Sequence, residues 1–522
     1  MIDEEIRSIE GMVSETAAVV MQEEDKASLE CPADPGTLTE IMEESPSVSA
    51  VVIPERAGYI PKDKRKKILF MSDDIRTPSG VGVMSREIVE GTAHIYNWVQ
   101  IGAAVNHPDE GKIVDMEGAI RDSTGVVDPS VILYPTNGYG NSSLVRTVIE
   151  REQPDALLHF TDPRYWVWLY QIEHEIRQKI PMFFYAIWDD LPYPYYNESF
   201  YRSDDWIGCI SKQTYNIVKH VSRKEGRAPW SLSYIPHGID TKKYFPMDNT
   251  NEEHNVKIEE TRKKLFRDDE VDFVVLYVSR NIRRKQTSDV ILAYDYFLKK
   301  LPKEKADKCR LVLHTQPIDD HGTDLPAVIR DVTPNVNAVF SNGRIEANEL
   351  NIMYNIADVT INLSSNEGFG LGTCESMVAG TPILVNVTGG LQDQCGFVND
   401  NGEYLDPETD FTYEWGSNHD GRFKNHGEWA FPVWPTSRSL QGSPVTPYIF
   451  DDRCRWEDAG DSLMEIYELG RKERKRRGML GHDYASGPGQ FTAERMCELF
   501  IKHMENAWDN FIPRKPFTVI KA

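Results

Sequence analysis

The sequence has few cysteines and no long apolar run, and both absences restrict the class of protein it encodes. Seven cysteines among 522 residues are scattered, odd in number and without a CxxC pair. This usage favours a reducing, cytoplasmic setting over a disulfide-bonded secreted domain or a structural zinc site. No signal peptide is recognised, and no apolar run reaches the roughly 18 residues that cross a bilayer, so we expect no integral membrane association.

Positive charge is also scarce. The chain has 58 Lys and Arg against 82 Asp and Glu, a net charge of −24. Residues 1–60 hold 14 acidic and 3 basic residues, which places −11 of that charge there. The balance argues against a general binder of nucleic acids or anionic membranes. Local basic runs remain at 62–67, 280–285 and 471–477, and the last is most simply a solvated helix face.

The length of the chain indicates two to three domains, and no internal repeat is visible. Residues 1–60 are interpreted as an acidic N-terminal extension with a helix-like stretch at Ile6–Met21. After it, short apolar runs alternate with amphipathic stretches in two series, which predicts parallel sheets covered by helices. The predicted strands are Ile68–Met71, Val131–Tyr134, Ala156–Phe160, Met182–Trp188 and Trp206–Ile210, then Phe273–Val278, Arg310–His314, Ala338–Phe340, Val359–Leu363 and Ile383–Asn386.

The predicted fold class is therefore α/β, with two doubly wound Rossmann-like domains. We assign residues 61–245 to the first and 246–490 to the second, with residues 491–522 as a C-terminal helix and tail. Residues 400–450 are rich in aromatics, Gly, Pro and His without a helical period, and predict a long, ordered but irregular insertion. In such sheets ligands bind beyond the carboxyl ends of the strands, here in the cleft between the domains.

The most informative segment is residues 362–392, which predicts a buried strand, a glycine-rich turn and a helix opening at Thr373. Three glycines in the turn let the backbone approach a ligand and adopt conformations closed to other residues: Gly368, Gly370 and Gly372. The helix start suits a phosphate, and Glu367 and Glu375 can accept hydrogen bonds from sugar hydroxyls. Phosphate plus polyol indicates a nucleotide sugar; the alternative is a plain connector, since such turns are common.

A second element lies about eighty residues upstream. Arg280 and Lys285 stand five positions apart after the predicted strand Phe273–Val278. A guanidinium can fork onto two phosphate oxygens, and an ammonium adds a mobile charge. Alone, this pair would be a solvated basic turn. Together with the glycine-rich helix start it predicts a diphosphate site.

Several motifs in order give the chain a family resemblance: SGVG at 79–82, IPHGIDTKKYF at 235–245, SRNIRRK at 279–285 and EGFGLGTCE at 367–375. Over residues 66–400 and 450–511 the chain resembles retaining GT-B-fold glycosyltransferases of the family-4-like type, the glycosyl transferases group 1. The segment EWAFPVWPTSRSLQGSP is similar to segments of phage-encoded members.

The resemblance implies a role for each matching position. Arg280 and Lys285 would hold the diphosphate, Glu367 would bind donor sugar hydroxyls, and Glu375 would bind the ribose. Backbone groups would contact the donor in three places: sugar and phosphate at Phe369, Gly370 and Leu371; the base at Arg344 and Ile345; and the phosphate from the first domain at Gly80 and Gly82.

One position departs from the family pattern. Members commonly carry a His-Asp pair after a central strand of the first domain, and here Trp188 stands at the His position, followed by Asp189 and Asp190. Asp189 is our candidate catalytic contact in its place. His159 is a second candidate, although a satisfied core histidine is at least as good an interpretation, and His237 stands where the family has Asn.

No DxD triplet follows a predicted strand, and two cations can replace Mg²⁺ at a diphosphate. We therefore expect a glycosyltransferase without a metal or other cofactor that uses a UDP- or GDP-sugar as its donor. Two alternatives stay open. One is a phage-type transferase acting on hydroxymethylated pyrimidines in DNA. Aromatic side chains of such an enzyme could stack on the extruded base. The other is a catalytically silent binding or scaffold protein with the same fold.

Overall fold

The structure, a computed structural model, describes residues 58–516 except 105–107, 223–226, 249, 268, 342 and 416–420. The helix predicted at Ile6–Met21 lies outside the described residues. The described chain forms two sheets, each flanked by helices on both faces, with the strands of the first sheet inside residues 61–245 and those of the second inside 246–490.

The first sheet has eight strands in the order β3-β4-β2-β1-β5-β6-β7-β8, parallel except for β3. Its strands are β1 Lys66–Asp73, β2 Tyr96–Ala103, β3 Val114–Asp115, β4 Val131–Pro135, β5 Ala156–Phe160, β6 Met182–Ala186, β7 Trp206–Cys209 and β8 Leu232–Tyr234. Its helices are α1 Gly80–Thr92, α2 Glu117–Thr124, α3 Ser142–Glu152, α4 Val167–Tyr170, α5 Glu173–Ile176, α6 Glu198–Ser203 and α7 Lys212–Val221.

The second sheet has six parallel strands in the order β11-β10-β9-β12-β13-β14. Its strands are β9 Phe273–Val278, β10 Cys309–His314, β11 Ala338–Ser341, β12 Val359–Asn362, β13 Ile383–Asn386 and β14 Ala430–Val433. Its helices are α8 Glu252–Phe266, α9 Thr287–Lys299, α10 Lys303–Ala306, α11 Leu325–Asp331, α12 Ala347–Ile356, α13 Leu371–Val378, α14 Leu391–Gln394, α15 Trp456–Glu468 and α16 Gly470–Ser486. A separate hairpin joins β15 Ser437–Gln441 to β16 Ile449–Arg453.

The predicted parallel α/β sheets are confirmed, and every predicted strand is present within one or two residues at each end. The irregular insertion was predicted partly wrongly, because Ala430–Val433 pairs with β13 as the edge strand of the second sheet. Pro432 interrupts the strand pattern there, and proline is tolerated at a sheet edge, where one side of the strand needs no hydrogen bond.

The C-terminal helix, α17 Ala493–Asn510, packs on the first domain, where the Trp508 ring meets those of Tyr96 and Phe183. Thr492 caps it, accepting a hydrogen bond from the Arg495 N–H. The backbone N–H of Ile239 donates to the Phe491 carbonyl at 2.8 Å, which joins the end of the first domain to the last helix. Within the described residues, no helix has the length and apolarity to cross a membrane.

The two sheets share a buried apolar cluster, so the base of the cleft is packed. Ile210 of the first domain and Phe369, Cys374 and Val385 of the second belong to it. The carboxyl ends of β1, β6, β9 and β12 therefore face one another across a narrow gap, where the loops that carry the predicted site lie.

Candidate active site

The loop after β9 carries the predicted diphosphate cations. Asn281 fixes its path by donating from its side-chain amide to the Thr323 carbonyl at 2.6 Å. The loop closes with a 3-10 turn at Arg283–Lys285, which buries Lys285. Arg280 stays half-exposed and donates to the Asp319 carboxylate at 3.2 Å. One cation is thus fixed inside the protein, and the other is available at the surface of the cleft.

Lys285 and Glu367 form a buried ion pair, joining the two elements that the sequence analysis singled out. The Glu367 carboxylate also accepts a long hydrogen bond of 3.4 Å from the Ser364 hydroxyl. Burial alone would raise the pKa of Glu367, but the charges of Lys285 and Arg284 outweigh burial and hold it below the usual range. Burial and the charge of Arg284 lower the pKa of Lys285, and the charge of Glu367 opposes this change. The two side chains thus lie side by side, shielded from water.

The turn after Glu367 leads into α13, which begins at Leu371, two residues before the predicted Thr373. Only Gly370 has a positive φ, +89°; the prediction of an unusual conformation is wrong for Gly368 and Gly372. Those two are small because the backbone is crowded: a Cβ on Gly372 would lie 3.1 Å from the Val278 carbonyl oxygen.

The first turn of α13 offers free hydrogen-bond donors. In the described part of the chain, the N–H groups of Leu371, Gly372 and Thr373 find no acceptor, while the Cys374 N–H donates to the Gly370 carbonyl at 3.1 Å. Such groups at the positive end of a helix dipole favour an anion. The Gln394 amide donates to the carbonyls of Phe369 and Gly370, at 2.7 and 2.9 Å, and so holds the turn in place.

Glu375 lies one turn further along α13. Its carboxylate accepts a hydrogen bond of 2.7 Å from the Tyr354 hydroxyl, and Tyr244 donates to it as well. Burial raises the pKa of Glu375, and the two hydrogen bonds, which lower it, only partly offset this effect. The carboxylate is positioned by two phenols and can accept further hydrogen bonds from a ligand.

The predicted base contacts lie apart from this cluster. Arg344 is exposed in the loop between β11 and α12, and Ile345 beside it is half-buried against the apolar residues of α8 and α12. The structure brings them to the carboxyl end of β11 and records no contact between them and Glu367 or Lys285.

The first domain closes over the helix start. A Cβ on Gly80 would lie 3.4 Å from the Leu371 side chain, so the glycine loop after β1 abuts the first turn of α13. Gly82 has a different reason to be small: a Cβ there would lie 2.7 Å from the Thr77 carbonyl oxygen. The Gly82 N–H donates a hydrogen bond of 3.0 Å to the hydroxyl of Ser79, the N-cap of α1. Gly80 therefore faces the cleft, and Gly82 shapes its own loop.

Asp189 reaches the site from the loop after β6. A Cβ on Gly368 would lie 3.9 Å from the Asp189 carboxylate, which places that carboxylate beside the glycine turn. Burial raises the pKa of Asp189; the charge of Arg284 opposes this rise and that of Glu367 adds to it. Asp189 is thus close enough to Glu367 and Arg284 to feel their charges.

Two side chains of this cluster were missed by sequence reasoning. Arg284 donates to the Asn366 carbonyl at 2.8 Å, and its charge acts on Asp189, Glu367 and Lys285. The Asn366 amide donates to Asp190 across the gap between the domains. The adjacent basic residues at 283–285 were the available signal for Arg284, whereas nothing near Asn366 in the sequence indicates its partner.

His159 and Trp188, the residue at the position of the family's histidine, both lie in the interior of the first domain. His159 is a core residue stacked on Phe184, with a hydrogen bond of 2.7 Å to the Tyr170 hydroxyl, so its catalytic interpretation is wrong. Trp188 is buried, and the Arg164 guanidinium carbon lies over its ring, 4.8 Å from the ring centre.

His237 does reach the interdomain contact. Its ring meets that of Phe369 edge to face at 5.2 Å, and its Nδ1 is 2.8 Å from the Tyr185 hydroxyl. Burial lowers the pKa of His237 to about 3, so the ring is neutral near pH 7.

The hairpin of β15 and β16 spans the cleft on the side of Asp189. Arg164 of the first domain donates to the Val445 carbonyl at 2.6 Å, and the Phe450 N–H donates to the Leu191 carbonyl at 2.6 Å. The Asn366 amide donates to the Phe450 carbonyl at 2.7 Å. This segment therefore forms a wall of the cleft.

Comparison with known proteins agrees with this geometry. Residues 257–410, which include Arg280, Lys285, Glu367 and Glu375, match the family described as glycosyl transferases group 1. The alpha-monoglucosyldiacylglycerol synthase of Acholeplasma laidlawii is 30% identical over 157 residues, 30% of this chain and 35% of the relative. The match thus spans about a third of that relative's length.

Solved structures of the same shape cover most of the chain. Anabaena HepE, solved with UDP and glucose, superposes with a TM-score of 0.57 at 14% identity, over 85% of this chain and 100% of HepE. Sucrose-phosphate synthase from Thermosynechococcus elongatus gives a TM-score of 0.57 at 14% identity, over 85% of this chain and 100% of the synthase. The chain therefore has the GT-B fold, and the family match lies within its second sheet domain.

Proposed function

We propose that the protein is a retaining glycosyltransferase that moves a sugar from a UDP- or GDP-sugar to an acceptor hydroxyl without a metal ion. The observation that carries this proposal is the buried Lys285–Glu367 ion pair beside the open N–H groups of α13. A cation and amide donors suit a diphosphate, and a carboxylate suits sugar hydroxyls. Neighbours of the same fold have been solved with UDP and with UDP-glucose, which supports the donor class.

The charges fit the demands of the reaction. Breaking the bond between the anomeric carbon and the phosphate oxygen leaves positive charge on the sugar ring and an electron pair on the departing diphosphate. Arg280, Arg284 and Lys285 with the start of α13 would stabilise the diphosphate, and preorganised groups of this kind are usually the largest catalytic contribution. The acceptor oxygen would attack from the face that the diphosphate leaves, and its proton would pass to that diphosphate.

The donor would lie along α13. Its sugar would meet Glu367, its diphosphate the first turn of the helix, and its ribose Glu375, where the Tyr354 and Tyr244 phenols orient the carboxylate. The base would reach the loop at Arg344 and Ile345. Gly80 would let the first domain approach the phosphate.

The test is donor hydrolysis. Purified protein incubated with UDP- or GDP-sugars and no acceptor should release free sugar and the nucleoside diphosphate slowly, because water replaces the acceptor hydroxyl. Products are measured by chromatography. The proposal is wrong if no nucleotide sugar is either bound or split.

Asp189 is proposed to contact the acceptor or the sugar where the family has histidine. Asp189→Asn should lower kcat by about 10²–10⁴-fold, the range for a lost proton-transfer or polar contact. Asp122→Asn, the same change on the exposed face of α2, is the control and should keep wild-type turnover. Full turnover by Asp189→Asn would remove Asp189 from the mechanism.

A DNA acceptor is a second candidate, favoured by two exposed tyrosine rings, one from each domain. The hydroxyls of Tyr195 and Tyr413 are 3.0 Å apart, and both rings are exposed. Such rings could stack an extruded hydroxymethylated base. A gel-shift assay with modified duplex DNA should then show salt-sensitive binding. Absence of binding at low salt excludes this acceptor, and nucleotide binding without turnover on any acceptor would favour a silent scaffold.

A further inference from the structure

A second candidate site lies at the opposite end of the second sheet. A cavity of about 960 Å³ opens at the amino ends of β9, β12 and β13, whereas the proposed donor cleft lies at their carboxyl ends. Its walls come from α8, from the ends of α12 and α15, from the segment that follows α13, and from the start of α16. The last residues of α13 lead directly into it through Gly380 and Thr381.

The basic run at 471–477 divides into two sets, which corrects its interpretation as a solvated helix face. Three arginines are already paired. Arg474 donates to the Asp358 carboxylate at 2.8 Å, and Arg476 and Arg477 form ion pairs with Glu473. Arg474 lines the cavity, as do the three basic residues of the run that have no ion-pair partner in the ranges that the structure describes: Arg471, Lys472 and Lys475.

The cavity holds more positive than negative charge. Among the described residues, Arg471, Lys472, Lys475 and, on the facing wall, Lys305 form no ion pair, although the charge of Arg471 acts on Asp358. Three carboxylates also line the cavity. Asp358 is bound to Arg474, and the other two are Asp272, 3.8 Å from Lys308, and exposed Glu468.

The cations lie close enough to disfavour one another. The pKa of Lys475 is lowered, first by burial and then by the charge of Arg471. Unpaired cations are thus clustered in one cavity of a chain whose net charge is −24. A bound anion would stabilise such a cluster, because its negative charge offsets the repulsion between the neighbouring cations.

The floor of the cavity is apolar. Met247, Val271 and Ile356 are buried there, and the half-buried ring of Tyr467 lies beside them. The volume exceeds what inorganic phosphate needs and is in the range of small-molecule pockets, about 300–1,000 Å³. The lining therefore suits a ligand with an anionic head and a ring or another apolar part.

We propose that this cavity binds a phosphate-bearing small molecule of nucleotide size, separately from the donor cleft. Arg471, Lys472 and Lys475 would contact the phosphates, and Tyr467 would pack against the remainder. A nucleoside diphosphate and a sugar phosphate share this chemistry. The proposal does not depend on the transfer reaction and holds whether or not the chain transfers sugars.

The test is calorimetry with the full chain at low ionic strength, using pyrophosphate, UDP and glucose 1-phosphate as probes. Arg471→Gln/Lys475→Gln should lose about tenfold or more in affinity at one class of sites, since hydrogen bonds to charged groups contribute at this level. Arg476→Gln/Arg477→Gln, the same charge change on the same helix outside the cavity, should bind like the wild type. Any binding in the donor cleft is common to all three proteins.

A site-specific readout accompanies the titration. Saturating probe should protect Lys472 and Lys475 from acetylation, detected by mass spectrometry, and should leave exposed Lys502 reactive. Tyr467→Ala should weaken UDP or glucose 1-phosphate, whichever binds here, and leave pyrophosphate unchanged. The proposal is overturned if no probe protects the two lysines, or if the control variant loses as much affinity as the cavity variant.

Discussion

Lys285→Met is expected to stop sugar transfer and to lower the free energy of unfolding by about 3–5 kcal/mol, because it leaves the Glu367 carboxylate buried without its counter-charge. Activity falls because the diphosphate loses its fixed ammonium. Urea denaturation measures the stability, and release of the nucleoside diphosphate measures the activity. Lys257→Met, which removes a lysine from the exposed Lys257–Glu253 pair on α8, should change stability by no more than about 1 kcal/mol.

The double variant Lys285→Met/Glu367→Met separates the structural role of the pair from its catalytic role. Replacing a whole buried ion pair by apolar side chains of similar volume is often neutral or stabilising. Stability should therefore return to near the wild-type value, while transfer stays absent. A stable double variant that still transfers sugar would show that the pair only holds the loops together.

Gly370→Ala is expected to lower affinity for the nucleoside diphosphate by about 100-fold, the scale of a 1 Å misplacement at an active site. A Cβ at this position would lie 2.5 Å from the Leu391 side chain and 2.9 Å from the Thr373 hydroxyl, so the turn that aims the first N–H groups of α13 must shift. The positive φ of +89° adds about 1–2 kcal/mol of strain for any other residue.

Gly402→Ala controls for the backbone strain alone. Gly402 has a φ of +79°, and a Cβ there would meet nothing within 4 Å. It should lose a similar amount of stability through strain and keep wild-type affinity for the nucleotide. If calorimetry gives both variants the same affinity, the geometry of the helix start does not matter for binding.

The sequence predicted the sheets where apolar runs are uninterrupted, and it failed where polar side chains are satisfied by tertiary contacts. Tyr96–Ala103 is a central strand that was not predicted, because Asn97 and Gln100 break its apolar run. Gln100 is fully buried and is held by the Ser72 hydroxyl at 2.8 Å and the Ile75 N–H at 3.1 Å. Those partners lie on β1 and beyond it, so no local pattern around Gln100 reveals them.

The same distinction applies to the site. Lys285 and Glu367 follow strands that are neighbours in a parallel sheet, so their meeting was predictable from the strand ends. Arg284 and Asn366 act through side chains and carbonyls of sequence-distant loops, and Asn366 also reaches Asp190 of the other domain. Such contacts depend on how the domains close, which no segment of the sequence specifies alone.

The most direct test of the account is a calorimetric titration of UDP, then GDP, into the wild-type protein in buffer containing EDTA. We predict saturable binding of one of them, unchanged when Mg²⁺ replaces EDTA, and lost in the Lys285→Met/Glu367→Met variant. Binding that requires a divalent ion, or equal binding by the variant, would contradict a diphosphate held by Lys285 and the start of α13.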